Sequence, residues 1–478
     1  MTDDVQQSPA DLPQPPLWVA LVPIACLTGM LALATLKLEQ PPHIPLILAT
    51  AIAGLLGRRY GVTWERLLDG MTHAIHAALP ACMILMVIGS LIGTWILGGI
   101  VPTLIIFGLK IVSPNLFLAT SCLVCVIVST ATGSSWSTAG TVGVALIGIG
   151  ATLHISPGLT AGAIISGAYV GDKMSPLSDT TNLAPAVAGT DLFTHVRHMV
   201  STTLPSLVIA LVAYGIIGFT YKTDNVSAIG TEQIVATIER TFVIHWGLLL
   251  PPLCVIALVV LRVPALPSLL VGAILGGICA SLVQSASLTA VVGAAQGGYA
   301  AKTGLAALDD LLNRGGLERM MPTVALIVCA LSFGGILETT GMLNRIATAI
   351  LSGVHSTGGL VVRTLLTCIG VNILAGDQYM AIVIPGRMYK PAFAKRGLHP
   401  KNLSRCLEDA GTMTSPLVPW NTCGAFMATT LGVSPLLYIP FAFVNLLNPM
   451  TSALYGFTGW TMHPAEAPGK PDSVSISQ

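Results

Sequence analysis

Gly171-Asp-Lys-Met-Ser-Pro-Leu-Ser-Asp-Thr-Thr-Asn182 suits neither a simple membrane span nor an ordinary loop, and its reading decides the fold. Apolar segments flank it on both sides, which puts it at membrane depth. Pro176 disrupts a helix, and Ser, Thr and Asn compete for backbone hydrogen bonds. Irregular backbone at that depth is tolerated only where it is buried in protein or lines a water-filled cavity. A helix broken there presents carbonyls, hydroxyls and a carboxylate, the hard oxygen ligands that suit a dehydrated cation. The alternative is a kinked structural helix whose polar groups satisfy one another.

The flanks fix the class. Hydrophobic residues make up 53% of the 478 and charged residues 9%. A soluble domain carries roughly a quarter of its residues as Asp, Glu, Lys or Arg, so lipid must cover most of this surface. A span takes about 20 apolar residues, and the length allows roughly ten to thirteen. The expected fold is an all-α polytopic membrane protein. The net charge of +1 comes without a strongly basic or acidic tract, so no nucleic-acid partner is expected. Most of the cysteines lie inside apolar runs, and Cys122 and Cys125 read as helix filler. No HExxH or GxSxG occurs, and no enzymatic role is expected.

A second broken stretch answers the first: Glu408-Asp-Ala-Gly-Thr-Met-Thr-Ser-Pro-Leu-Val-Pro-Trp-Asn-Thr422. GDKMSPL at 171–177 aligns with GTMTSPL at 411–417. Upstream, ATGSSWSTA at 131–139 aligns with LAGDQYMAI at 374–382, placing Gly133 with Gly376 and Trp136 with Tyr379. Two ordered matches at nearly constant offset indicate an internal repeat. The expected division is a tail (1–16), a first membrane repeat (17–221), a linker (222–240), a second repeat (241–460) and a tail (461–478), both tails being read as disordered. Residues 302–319 read as an interfacial amphipathic helix with Leu305, Leu308, Leu311 and Leu312 on one face. The connection holding Arg387, Lys390, Lys395, Arg396, Lys401 and Arg405 is basic. Its equivalent near 147–162 has neither Lys nor Arg. The positive-inside bias puts these loops on opposite faces. The repeats are therefore expected to be inverted, each with a re-entrant hairpin and a broken helix.

Candidate cation or proton ligands follow from these breaks. Asp179 and Asp377 lead, with Asp172, Asp409 and Glu408 as further carboxylates. Ser178, Thr180, Thr181 and Asn182 surround the first break, and Asn421 and Thr422 follow the second. The hairpin tips add Ser134, Ser135 and Thr138, and Gln378 beside Asp377. Asp172 could be neutralised by Lys173, and Glu408 and Asp409 could pair with Arg405 or Lys401. His195, His198, His73 and His76 read as interfacial anchors.

The sequence resembles the NhaC-type Na+/H+ antiporter family of the wider ion-transporter superfamily. The resemblance rests on GSSWSTAGTVGVALIGIG at 133–150, GAYVGDKMSPLSDTTNLAPAVAGTDLFTHVRHM at 167–199, GDQYMAIVIPGRMYK at 376–390, PKNLSRCLEDAGTMTSPLVPWNTCGAFMATTLGV at 400–433 and NLLNPMTSALYGFTG at 445–459. It covers most of the chain between about 20 and 460, and Ser137 stands where a glycine is expected. The resemblance implies a multi-pass transporter of the bacterial inner membrane that exchanges Na+ for H+, with Na+ held at the residues named above. It implies no cofactor, and lipid as surroundings. Relatives of this kind are often dimers, and some exchange small carboxylates such as malate and lactate coupled to Na+ and H+.

Overall fold

A computed structural model describes residues 15–465 except 39, 112, 221–227, 262, 306, 307, 310, 311 and 352–355. Most of both expected tails, and residues 222–227 of the linker, lie outside the described residues.

The first half runs α1 (Leu17–Ala32), α2 (His43–Arg59), α3 (Trp64–Leu97), α4 (Ile100–Ile111) and α5 (Phe117–Thr132). The chain then turns at Gly133 into α6 (Ser135–Thr138), a π turn (Ala139–Gly143) and α7 (Val144–Thr152). There follow α8 (Pro157–Met174), α9 (Asp179–Ala188) and α10 (Leu192–Thr220). Part of the expected linker is α11 (Ala228–Thr241), with Ile238 fully buried. Next come α12 (Leu250–Val260), α13 (Ala265–Leu282) and α14 (Leu288–Gly297). The second half then follows α3 to α10 in outline: a long helix, a short one, a hairpin and a broken helix. It has α15 (Leu317–Thr339), α16 (Met342–Leu351), α17 (Thr357–Leu374), a turn at Gly376, and α18 (Gln378–Lys395). After α19 (Pro400–Cys406) come a π turn (Leu407–Thr412), a 3-10 turn (Ser415–Leu417), α20 (Thr422–Leu431), α21 (Pro435–Tyr438) and α22 (Phe443–Thr458).

The surface of α10 shows what surrounds the molecule. Leu204, Val208, Val212 and Ile216 recur every four residues and are each at least half exposed. A helical face of that kind belongs in hydrocarbon rather than in water. Among the described residues six helices are long and apolar enough to span a membrane, or up to eight if two bent pairs each count once. The higher count read from sequence came from the chain length, and apolar helices such as Leu17–Leu31, Ile100–Leu109 and Leu288–Gly297 are too short to count among these. At 34 residues, α3 is about 50 Å long, well beyond a bilayer core of about 30 Å, and its charged first turns (Glu65, Arg66, Asp69) suit the part that extends past the hydrocarbon.

Small residues allow the helices to approach closely. Where α3 crosses α15, a Cβ on Gly335 would stand 2.5 Å from the Gly70 carbonyl oxygen. Where α5 crosses α8, a Cβ on Gly167 would lie 2.1 Å from the Cys122 carbonyl oxygen. Close packing is the main attraction between helices when lipid and protein are equally apolar. Cys122 and Cys125 are free and buried in this crossing.

The described residues of 302–319 pack inward rather than lying at an interface. Leu308 and Leu312 are buried, and Leu305 packs against the same core. Polar ties close a compact loop: the Thr303 backbone N–H donates to Asp309 Oδ1 (2.7 Å), and the Gly316 N–H donates to the Gly89 carbonyl (2.6 Å). Leu311 lies outside the described residues.

Candidate functional site

Both hairpins turn on a left-handed glycine, Gly133 at φ 67° and Gly376 at φ 66°. Each tip meets a helix break. A Cβ on Gly133 would lie 2.7 Å from the Leu177 carbonyl carbon, inside the first break. The Gly376 carbonyl accepts from the Thr422 backbone N–H (2.9 Å), just after the second break. The helices that restart at these points are capped by the residue types that suit N-caps. Ser134 Oγ accepts from the Ser137 N–H (3.1 Å), Asp377 Oδ1 from the Met380 N–H (3.0 Å) and Asn421 Oδ1 from the Cys423 N–H (3.0 Å). Ser178 caps α9 through the Thr181 N–H at 3.5 Å.

Between the tips and the breaks is a cavity of about 610 Å³. Asp172, Asp179 and Asp377 all line it. Asp172 is the most enclosed: its Oδ2 accepts from the Ser135 hydroxyl (2.6 Å) and backbone N–H (3.2 Å). Asp179 is exposed to the opening, and Asp377 is half-buried. Ser134, Ser135, Ser178, Thr180, Gln378 and Thr422 also line the cavity.

Other residues named from sequence close the breaks instead. Thr181 Oγ1 donates to the carbonyls of Lys173 (3.0 Å) and Asp172 (3.2 Å), tying α9 to the end of α8. Asn182 Nδ2 donates to the carbonyls of Ser178 (2.7 Å) and Pro176 (2.8 Å). Asn421 Nδ2 donates to Asn372 Oδ1 (3.0 Å), and Thr138 Oγ1 donates to the Ser134 carbonyl (3.0 Å). These four satisfy backbone and side-chain groups that the breaks leave over.

Glu408 and Asp409 are elsewhere, in a second, fully buried cluster. Asp409 pairs with Lys173, so Lys173 does not neutralise Asp172. It also lies 3.7 Å from Arg405, and accepts from Asn448 Nδ2 (2.6 Å) and Thr202 Oγ1 (3.0 Å). Both Glu408 oxygens are buried with no hydrogen-bond partner among the described residues. His195 and His198 are buried at the start of α10 rather than interfacial, because that turn packs on α19; His195 Nδ1 meets Ser404 Oγ at 2.8 Å.

The candidate ligands named from sequence therefore fall into separate neighbourhoods and cannot hold one ion together. Among the described residues no three His, Cys, Asp or Glu side chains form a metal-holding group. A cation in the cavity would depend on hydroxyls and carbonyls as well as carboxylates. Sequence reasoning missed Cys423, whose Sγ donates to Gln378 Oε1 (2.7 Å), and Trp136, stacked on Phe426 at 4.0 Å. It also missed Asn372, although an Asn inside an apolar helix is itself a signal.

Helix breaks and hairpin tips that meet around a carboxylate-lined cavity define a class: the multi-pass transporters built from paired repeats. The chain belongs to the Na+/H+ antiporter family, whose model matches residues 167–460. It is 41% identical to the Na+/H+ antiporter NhaC of Alkalihalophilus pseudofirmus, over 88% of this chain and 91% of that one. It is 40% identical to the arginine/ornithine antiporter ArcD of Halobacterium salinarum, over 95% of each chain. It is 36% identical to a malate-2H+/Na+-lactate antiporter of Bacillus subtilis, over 94% of this chain and 96% of that one.

Proposed function

We propose that the protein exchanges Na+ for H+ across a bacterial inner membrane by alternating access at the cavity. The observation that carries the reading is the charge balance of that cavity. Asp172, Asp179 and Asp377 supply three negative charges when ionised. Helical segments begin there at Ser135, Asp179, Gln378 and Thr422, and each helix N-terminus carries roughly half a positive charge. These ends favour the ionised carboxylates, while the C-terminal ends of α5 and α8 at the same cavity oppose them. The negative charge that remains can be neutralised by a monovalent cation or by a proton. The two then compete for the same oxygens, and exchange follows if only the neutralised site can change its exposure.

The test uses purified protein in liposomes with a preset pH gradient and an internal pH dye. Na+ alone should collapse the gradient, and Asp179→Asn combined with Asp377→Asn should abolish the effect. Collapse that persists in the double variant would overturn this site. A second reading, exchange of small carboxylates coupled to Na+ and H+, is favoured by the size of the cavity, which far exceeds a dehydrated cation. Collapse that requires added malate or lactate would select it.

A further inference from the structure

A second pocket, of about 350 Å³, opens where α10 begins, on the side of the basic connection. Its chemistry is the opposite of the first. Arg197 and Lys401 line it with His198 and His463, and no carboxylate lines it among the described residues. Neither Arg197 nor Lys401 has an ion-pair partner among those residues. Thr194, Ser201 and Thr461 add hydroxyls. Thr194, Arg197, His198 and Ser201 follow an i, i+3, i+4, i+7 pattern, so one helical face presents them together.

Several features indicate that this is a built site. His198 is 6% exposed, and its Nε2 has no hydrogen-bond partner among the described residues. The His463 ring sits edge-on to it at 5.2 Å. Thr461 holds a left-handed φ of 61°, unusual for a β-branched residue. Its hydroxyl accepts from Arg405 Nη1 (2.7 Å), which leaves the hydroxyl proton free to donate outward. Burial, then the positive charges of Lys401, Arg405 and His399, hold the His463 imidazole below its ordinary pKa. Lipid-facing side chains stand alongside: Phe193 is 67% exposed, Val200 40% and Leu204 55%.

We propose that this pocket binds a phosphate-bearing anion, with Arg197 and Lys401 as its charge partners and the hydroxyls as neutral donors. The same chemistry is offered by an anionic phospholipid headgroup and by free phosphate. The apolar rim favours the headgroup, whose acyl chains would lie against Phe193 and Leu204, on the membrane face where anionic lipid attracts basic segments. Arg405 then links the pocket to the interior, since it bonds Thr461 and approaches Asp409.

The test uses the full chain in neutral detergent. Short-chain phosphatidylglycerol, phosphatidylcholine and inorganic phosphate are titrated separately while thermal unfolding is followed, because a ligand of the folded state raises Tm with its concentration. Phosphatidylglycerol should raise Tm saturably and phosphatidylcholine should not. Arg197→Gln with Lys401→Gln should weaken the apparent affinity about tenfold or more, through loss of two charge-assisted contacts. Trp460, 65% exposed and next to Thr461, supplies a second signal that Trp460→Phe should remove. A Tm rise with inorganic phosphate alone, lost in the double variant, would support the site and assign it to free phosphate. An equal response to phosphatidylcholine, an unchanged response in the double variant, or no response to any of the three would overturn the proposal. Arg197 is exposed, so Arg197→Gln alone tests the site should the double variant fail to fold.

Discussion

Lys173 and Asp409 join the two halves of the chain through an ion pair with both side chains fully buried, and removing each partner should have unequal effects. Asp409→Asn leaves two buried cations, Lys173 and Arg405, without their shared anion. Breaking a buried pair from one side costs about 3–5 kcal/mol, and this variant belongs at the upper end. Lys173→Met leaves Asp409 beside Arg405 at 3.7 Å, still accepting from Thr202 and Asn448. The charge left behind is balanced, so the loss is close to one charge-assisted hydrogen bond, about 1.5–3 kcal/mol. Arg405 tolerates the exchange because it keeps Thr461 at 2.7 Å and the Tyr455 ring at 6.0 Å.

The double variant Lys173→Met with Asp409→Asn removes one cation along with the anion. It should be less destabilised than the sum of the two single variants by about 1–3 kcal/mol, the range expected of contacting residues. The assay is denaturant unfolding in detergent micelles, followed by tryptophan fluorescence, for wild type and all three variants. Additivity within about 0.5 kcal/mol would refute the pairing. A Lys173→Met variant as unstable as Asp409→Asn would refute the argument from Arg405.

Other consequences can be checked alongside. Gly133→Ala should be more destabilising than Gly376→Ala by about 1–3 kcal/mol, measured by thermal unfolding, because both share the left-handed strain but only Gly133 faces backbone at 2.7 Å. Ser135→Ala removes a 2.6 Å donor to Asp172 and should alter the Na+ concentration for half-maximal exchange without changing expression. Asn182→Ala removes the side-chain bonds to the Pro176 and Ser178 carbonyls, of which Ser178 keeps the backbone N–H of residue 182; it should cost about 0.5–1.5 kcal/mol in stability and leave ion selectivity unchanged in the liposome assay.

The architecture was largely legible in the sequence because it rests on strong local signals. Apolar runs define spans, Pro176 and Pro416 mark breaks, and Gly133 and Gly376 mark tips. Asp172, Asp179 and Asp377 were legible as candidates for the same reason: each stands next to a break or a tip. The partner of Lys173 was not, since Asp409 lies 236 positions away and Asp172 is adjacent. Sequence proximity suggested a pair that the helix geometry forbids, because neighbouring residues on α8 point to different faces. The histidines of α10 misled in a related way. An amphipathic residue near a helix end ordinarily seeks the interface, but here α19 covers that turn and takes His195 into a hydrogen bond with Ser404.

The two repeats share a backbone plan but place their charges differently, and that difference separates two roles. In the first repeat Asp172 and Asp179 stand on either side of the break and face the cavity. In the second, Glu408 and Asp409 precede the break by about two turns and face inward, so their half contributes Asp377 from the hairpin instead. Lys173 lies next to a cavity carboxylate in sequence and pairs across the repeats. A shift of one broken helix against the other would therefore strain that pair while opening or closing the site. The buried pair is thus the charged contact that such a shift would load first, whereas the three cavity carboxylates line open space.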